Sequence, residues 1–319
     1  MVHETVEWMQ RARAQIPKRD RAILLSPPRL VARFMRFALA HHAGAGERDS
    51  ADDLAVRDPA FCALMMDFFE VFARHYFRFR VEGAEEVPEQ GPVLLVGNHN
   101  GGFLPTDGFF TALALYQRFR GRRAMYSLVH DFMFNDPVLR TYALKLGMVR
   151  ASPDVAHRVF ARGDCLLVYP GSDYDTFRSF RERGKVVLAG RTGFIKLALR
   201  ERVPIVPVVS AGTAEQMVVL SRGDWLARLL HAHAWARTDV FPIMLAMPWG
   251  LTSGFVPYLP LPAQTTVSFG APIRWPALDP EAAERDDVVV DCYRQVEGTM
   301  QSMLDRLMDH RRFLLGKKS

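Results

Sequence analysis

Strands alternating with helices through the middle of this chain predict an α/β fold. It is a mostly parallel central sheet flanked by helices, with N-terminal helices and a C-terminal helix added. Two observations carry that expectation. Short apolar runs, such as V-L-L-V at 93–96, have the composition of strands buried on both faces. Between such runs lie segments whose apolar residues recur with helical spacing. With 319 residues and 49% hydrophobic content the chain has enough material for a large core of this type. The expected organisation is a helical region over 1–78 that could associate with a membrane, an α/β domain over 79–275, and a C-terminal helix over 276–319.

In order, residues 28–41 read as a helix with Arg29, Arg33 and Arg36 on one side and Leu30, Phe34 and Phe37 beside them. That pattern fits an interfacial helix with a basic polar side, and equally an ordinary surface helix. Residues 42–56 read as a loop. Over 57–78 a second helix is expected, with Phe61, Leu64, Met65, Phe68, Phe69, Phe72 and Tyr76 as its apolar stripe, suited to a core or to acyl-chain contact. Strands follow at 79–82, 93–96, 124–129, 147–150, 165–169, 205–210 and 265–269. Helices fall at 108–116, 136–145, 155–161 and 192–201, and a long loop covers 170–190. Residues 240–262 are apolar but contain five prolines, which forbid a regular spanning helix. Trp249, Phe255 and Tyr258 there suit a membrane interface, the wall of an acyl tunnel, or buried irregular structure. A terminal helix over 282–312 carries Val289, Tyr293, Val296, Met300, Met303, Leu304 and Leu307 on one stripe.

Composition narrows the function classes. The formal charge of +6 is modest, and the first 36 residues hold much of the excess, which favours an anionic membrane surface or polyanionic ligand. No basic arm with nucleic-acid motifs is present, so nucleic acid is not an expected partner. Three widely spaced cysteines (Cys62, Cys165, Cys292) predict buried free thiols in a reducing compartment, with neither a disulfide framework nor a zinc site. The polar N-terminus lacks the apolar core of a secretory signal, and no run of 18 apolar residues exists.

The stretch 93–107, V-L-L-V-G-N-H-N-G-G-F-L-P-T-D, organises the rest. A buried strand ends in Gly97-Asn98, and His99 follows at its C-terminal edge. Gly101, Gly102 and Pro105 force a turn, and Thr106 or Asp107 can cap the helix beyond. One turn thus brings an imidazole and a carboxylate together at the edge where α/β sheets place their chemistry. A neutral histidine held by a carboxylate is a general base for a hydroxyl. The plainer alternative is a histidine and an aspartate that only cap backbone. A second constellation, L-L-V-Y-P-G-S-D-Y-D at 166–175, runs from a strand into a turn. A basic loop with Arg178, Arg181, Arg183, Lys185 and Arg191 follows, fit to bind phosphate or simply to be solvated.

The run N-H-N-G-G-F-L-P-T-D resembles the first motif of the glycerolipid (lysophospholipid) acyltransferase superfamily. More narrowly it is similar to the monoacylglycerol/diacylglycerol acyltransferase-like branch, which has glycines after the histidine. The commonest superfamily spacing, His-x4-Asp, would put the acid at position 104, which is Leu here; the acid is Asp107. Further motifs follow in family order: Y-P-G-S-D-Y-D, then G-R-T-G-F-I-K-L-A, then V-P-I-V-P-V-V. By that resemblance Pro170 and Gly171 match the family's Pro-Gly turn. Ser172 stands where the nearest branch usually has Gly and phosphate-acceptor relatives have Glu. The resemblance also places Arg150 and Arg191 near substrate, and it covers roughly 80–275.

The resemblance implies a peripheral acyltransferase at the cytoplasmic face of a membrane, acting in glycerolipid synthesis. His99 would deprotonate the acceptor hydroxyl and Asp107 would orient the imidazole. Backbone N–H groups of Gly101-Gly102 or Gly171-Ser172 would stabilise the oxyanion, while Arg150 and Arg191 hold phosphate or carbonyl groups. The implied partners are acyl-CoA, as a diffusing co-substrate, and a glycerolipid acceptor; no bound cofactor and no metal are expected. A hydrolase using the same pair, or a silent lipid-binding protein, are the alternatives. No G-x-S-x-G elbow, Walker A run or G-x-G-x-x-G is present, and His231-x-His233 lacks further ligands for a metal.

Overall fold

Residues 93–96 are completely buried, as a strand covered on both faces must be. The computed structural model describes residues 50–100, 106–236, 238–254, 256 and 258–317. The helix expected over 28–41 and the Gly101-Gly102 turn lie outside the described residues.

The described chain opens with α1 (Pro59–His75), β1 (Arg80–Glu82), β2 (Val93–Gly97), α2 (Thr106–Phe119) and β3 (Met125–Val129). It continues with α3 (Pro137–Lys145), β4 (Met148–Arg150), α4 (Pro153–Ala161), β5 (Cys165–Val168) and α5 (Ser172–Thr176). Next come α6 (Gly193–Glu201), β6 (Ile205–Ala211), β7 (Val218–Ser221), α7 (Asp224–Leu229) and α8 (Ala232–Ala236). The last elements are β8 (Ile243–Ala246), β9 (Gly250–Ser253), β10 (Thr266–Phe269) and α9 (Asp286–Met308).

Seven strands form the main sheet in the order β1-β10-β6-β2-β5-β3-β4. β6, β2, β5, β3 and β4 run parallel; β10 is antiparallel to β6, and β1 is parallel to β10. The fold is therefore α/β with a mostly parallel central sheet flanked by helices. Alternation along β2 sorts its side chains. Val93 and Leu95 face α1 and α2, in a core with Met66, Phe77, Phe110 and Leu113. Leu94 and Val96 face the other way, toward α4, α6 and α9, in a core with Val159, Ile195, Val296 and Met300. Because β2 lies between β5 and β6, whatever follows its carboxyl end emerges at the middle of the sheet edge.

Several expectations change in detail. In α1, capped by Asp58 and started by Pro59, Met66 and Ala73 are buried whereas Leu64 is exposed. Most of the expected stripe still faces inward: Phe61 is buried, and Met65, Phe69, Phe72 and Tyr76 pack partly buried on the sheet core, with Phe69 against Phe109 and Phe110. The segment 170–190 is not one loop: it holds α5 and a 3₁₀ turn at Phe180–Glu182. Residues 240–262 are not irregular throughout, since 243–253 make the hairpin β8–β9. With β7 it forms a second, antiparallel sheet in the order β7-β8-β9. Pro242 and Pro248 flank β8, so neither removes a ladder hydrogen bond within it. The three cysteines are free and buried. No helix among the described residues is long and apolar enough to cross a membrane, and none of their side chains cluster as a metal site.

Candidate active site

Asn98 fixes the chain as it leaves β2. Its Nδ2 donates to the Ser210 carbonyl at 3.1 Å and its Oδ1 accepts from the Ser210 N–H at 2.8 Å. This side chain thus extends the β2–β6 ladder beyond its last backbone pair. His99 comes next, half-buried, with Nδ1 at 2.9 Å from Asp107 Oδ2. The two are eight positions apart in the chain, and the fold brings them together. Asp107 is 1% exposed. Its Oδ2 also accepts the Asn100 N–H at 2.6 Å, and its Oδ1 accepts the Gly108 N–H at 2.8 Å. Thr106 and Asp107 lie in the first turn of α2 rather than before it, where the helix dipole favours a carboxylate. An ionised carboxylate only accepts, so Nδ1 carries the imidazole proton and Nε2 keeps its lone pair. Nε2 makes no hydrogen bond among the described residues.

A second carboxylate holds the histidine's backbone. Asp175 Oδ2 accepts the His99 N–H at 2.5 Å, and Arg178 Nη1 donates to the His99 carbonyl at 3.2 Å. Asp175 Oδ1 and Arg178 Nη1 are themselves a hydrogen-bonded ion pair, with side chains 0% and 3% exposed. This corrects the reading of Arg178 as part of a phosphate-binding loop: it is a buried member of a clamp on the His99 peptide groups. The Tyr169 ring stacks on the imidazole, with centroids 4.4 Å apart and planes 17° apart. Gly97 makes room for it, since a Cβ there would lie 2.4 Å from Tyr169 Cε1. In the sequence Tyr169 reads only as the end of a strand. The signals for these three residues were the placement of Tyr169 just before Pro-Gly and the i, i+3 spacing of Asp175 and Arg178.

Gly171 sits in the turn between β5 and α5, where a Cβ would meet the Val187 carbonyl oxygen at 2.0 Å and Asp175 Cβ at 2.4 Å. Any larger residue would push Asp175 off the His99 N–H. Ser172 adopts φ +48°, left-handed backbone that favours glycine. Its N–H donates to the Tyr169 carbonyl at 3.2 Å, so that group is already engaged and not directed at a reacting carbonyl. Ser172→Gly is expected to raise stability by about 0.5–1 kcal/mol, the strain relieved less the added chain entropy, read as a higher urea midpoint. Arg191, expected near substrate, holds this turn: Nη1 donates to the Pro170 carbonyl at 3.0 Å and Nη2 to Asp173 Oδ1 at 3.4 Å. Its side chain stays half exposed. Arg150 is also at the carboxyl edge, paired with Asp52 at 3.2 Å, but on the outermost strand β4. Three strand spacings put it about 14 Å from β2, within reach only of the far end of an extended ligand.

Electrostatics favours a strong, orientated base. Burial pulls the His99 pKa down, but the charge and hydrogen bond of Asp107, aided by the charge of Asp175, outweigh it and leave it above the usual 6.5. Burial pushes Asp175 up to about 6 against the pull of Arg178. Burial likewise raises Tyr169 well above its ordinary value, so this ring stays a neutral phenol. Among the described residues, Asn100 Nδ2 is a buried donor without a hydrogen-bond partner, one residue from the imidazole.

Comparison with known proteins gives the chain relatives. Residues 78–211 match the family model described as Acyltransferase. An uncharacterised protein of Mycobacterium tuberculosis is 34% identical over 258 residues, covering 80% of this chain and 69% of the relative. Human diacylglycerol O-acyltransferase 2 is 31% identical over 97 residues, 29% of this chain and 25% of that protein. The crystal structure of the 1-acyl-sn-glycerophosphate acyltransferase of Thermotoga maritima aligns over 86% of this chain and 88% of its own, with 16% identity and a TM-score of 0.47. The chain belongs to the same family as the mycobacterial protein, and its residues 78–211 are similar to the Acyltransferase family model.

Proposed function

We propose that this protein moves a fatty acyl group from acyl-CoA to a hydroxyl of a glycerolipid acceptor, working as a peripheral protein at the cytoplasmic face of a membrane. The observation that carries the reading is the His99–Asp107 pair at 2.9 Å at the centre of the sheet edge, with Nε2 making no hydrogen bond among the described residues. His99 Nε2 takes the proton of the acceptor hydroxyl as its oxygen attacks the thioester carbonyl carbon. The tetrahedral intermediate collapses with loss of the C–S bond, and the CoA thiolate recovers the proton from the imidazolium. Asp107 fixes the tautomer and stabilises the imidazolium. Asn100 Nδ2 and the N–H groups of the Gly101-Gly102 turn are the donors proposed for the oxyanion. Arg191 and Arg150 are proposed to meet phosphate groups of the donor. The cycle needs no prosthetic group. Ser172, in place of the Glu of phosphate-acceptor relatives, favours mono- or diacylglycerol over lysophosphatidate.

Purified protein with radiolabelled long-chain acyl-CoA tests this, with monoacylglycerol, diacylglycerol, lysophosphatidate and glycerol 3-phosphate offered in parallel. A labelled ester with one of the acylglycerols is the expected product. Labelled free acid with every acceptor would make the protein a hydrolase instead.

The pH profile reads the base itself. Because the neutral imidazole is the active form, kcat/KM should rise with pH through a pKa above 6.5. In Asp107→Asn the charge that raises this pKa is gone and burial prevails, so the acid limb moves to lower pH while the plateau falls about 10²-fold or more. An acid limb that stays in place would assign the titration to another group.

A further inference from the structure

The sheet β7–β8–β9 buries one face and leaves an apolar one outside. Val219, Met244 and Ala246 point inward, into a small core of their own. A sheet with one wetted face normally alternates apolar inside with polar outside. Here the outward positions are Leu220, Leu245 and Leu251, 48%, 44% and 68% exposed. Leu245 and Leu251 are directly paired across β8 and β9, and Val218 of β7 stands opposite Leu245, so the apolar row crosses all three strands. Trp249, in the hairpin turn, and Trp225, on α7 just after β7, are 58% and 57% exposed. Nine of the fourteen large apolar side chains exposed among the described residues lie between 220 and 259, which marks a functional surface rather than scatter.

Its chemistry fits lipid better than protein. Residues 240–273 contain no Asp, Glu, Lys, Arg or His. A protein interface keeps a polar and charged rim, whereas the headgroup–acyl boundary accepts uncharged surface edged by tryptophan. The charges flanking the patch are cationic in balance. Asp224 is paired with Arg222 at 2.9 Å and Asp239 with His233 at 3.2 Å, while Arg228 and His231 are exposed beside them. The patch is also fastened to both sides of the His99 site. Gln216, just before β7, accepts from Thr106 at 2.6 Å, and Thr238, just before β8, donates to Asp173 at 2.9 Å.

We propose that the outer face of β7–β8–β9, with Trp225 and Trp249, docks the protein on an anionic lipid bilayer and sets the carboxyl edge of the main sheet against the membrane. The assignment deepens the membrane-surface reading above and rests on it. Trp249→Glu/Leu251→Glu in the full chain tests it by co-sedimentation with vesicles of phosphatidylcholine and phosphatidylglycerol. The partition coefficient should fall about tenfold or more. Transfer to an acceptor presented in detergent micelles should stay within about twofold of wild type, since both side chains are more than half exposed on the small sheet. Trp225→Glu, outside the sheet, should weaken vesicle binding in the same direction, which guards against misfolding of the hairpin. Unchanged vesicle binding in all variants would overturn the proposal. So would a wild-type dimer that binds no vesicles and dissociates on these substitutions, because the face would then belong to a second copy. If wild type forms no ester yet its vesicle binding is lost in the variants, the acyl-transfer reading fails and the docking face stands.

Discussion

His99→Ala is expected to lower kcat for ester formation by about 10²–10⁴-fold, the usual contribution of a positioned general base. The loss should fall on kcat rather than KM, because the imidazole takes its proton only as the acceptor attacks. Stability should change little. Removing the ring leaves Asp107 with the N–H groups of Asn100 and Gly108, so the buried carboxylate keeps two donors. The clamp from Asp175 and Arg178 acts on the backbone of residue 99 and survives the substitution. Asp107→Asn acts on the same proton transfer, so combining it with His99→Ala should cost little beyond His99→Ala alone.

Arg178→Ala is expected to destabilise the fold by about 3–5 kcal/mol at neutral pH and above, because it strands the Asp175 carboxylate in the interior. The loss should depend on pH in a defined sense. Asp175 already has its folded pKa raised to about 6, so the stability it brings is present below the unfolded value of 3.8 and lost as pH rises through the folded value. Without Arg178 that folded pKa rises further. The gap between wild type and variant therefore widens from about pH 5 to about pH 8, which urea midpoints at the two values measure. A gap independent of pH would mean that the pair contributes packing rather than charge compensation. Activity should fall with stability here, since both peptide groups of His99 lose their anchors.

The parts of this molecule set by local pattern were legible. Four consecutive apolar residues at 93–96, followed by glycine and a histidine, define β2 and the sheet edge without any structure. Closure between His99 and Asp107 was legible as proximity, because Gly101, Gly102 and Pro105 oblige the chain to turn. What escaped depends on partners distant in sequence. Arg178 reads as one of several cations in a polar loop, and only the fold shows that it faces Asp175 and the His99 carbonyl. Asp175 meets His99 across 76 positions. Tyr169 reads as the last residue of a strand until β5 is placed beside β2. The hairpin β8–β9 was hidden because its four-residue strands are too short to display a period, and apolar residues on both faces erase the alternation. The reversed direction of β10 against β6 has no local signature at all. The exposure of Leu64 on α1 likewise depends on the sheet it packs against.

The most direct test of the central claim, that His99 is the base for acyl transfer, is ester formation by wild type and His99→Ala under identical conditions. Both would receive labelled acyl-CoA and the acylglycerol acceptor that wild type uses, with urea midpoints recorded on the same preparations. The account predicts a loss of about 10²-fold or more in kcat with little change in KM or in the midpoint. A folded His99→Ala protein that still forms the ester within a few-fold of wild type would contradict it, and would move the chemistry away from the end of β2.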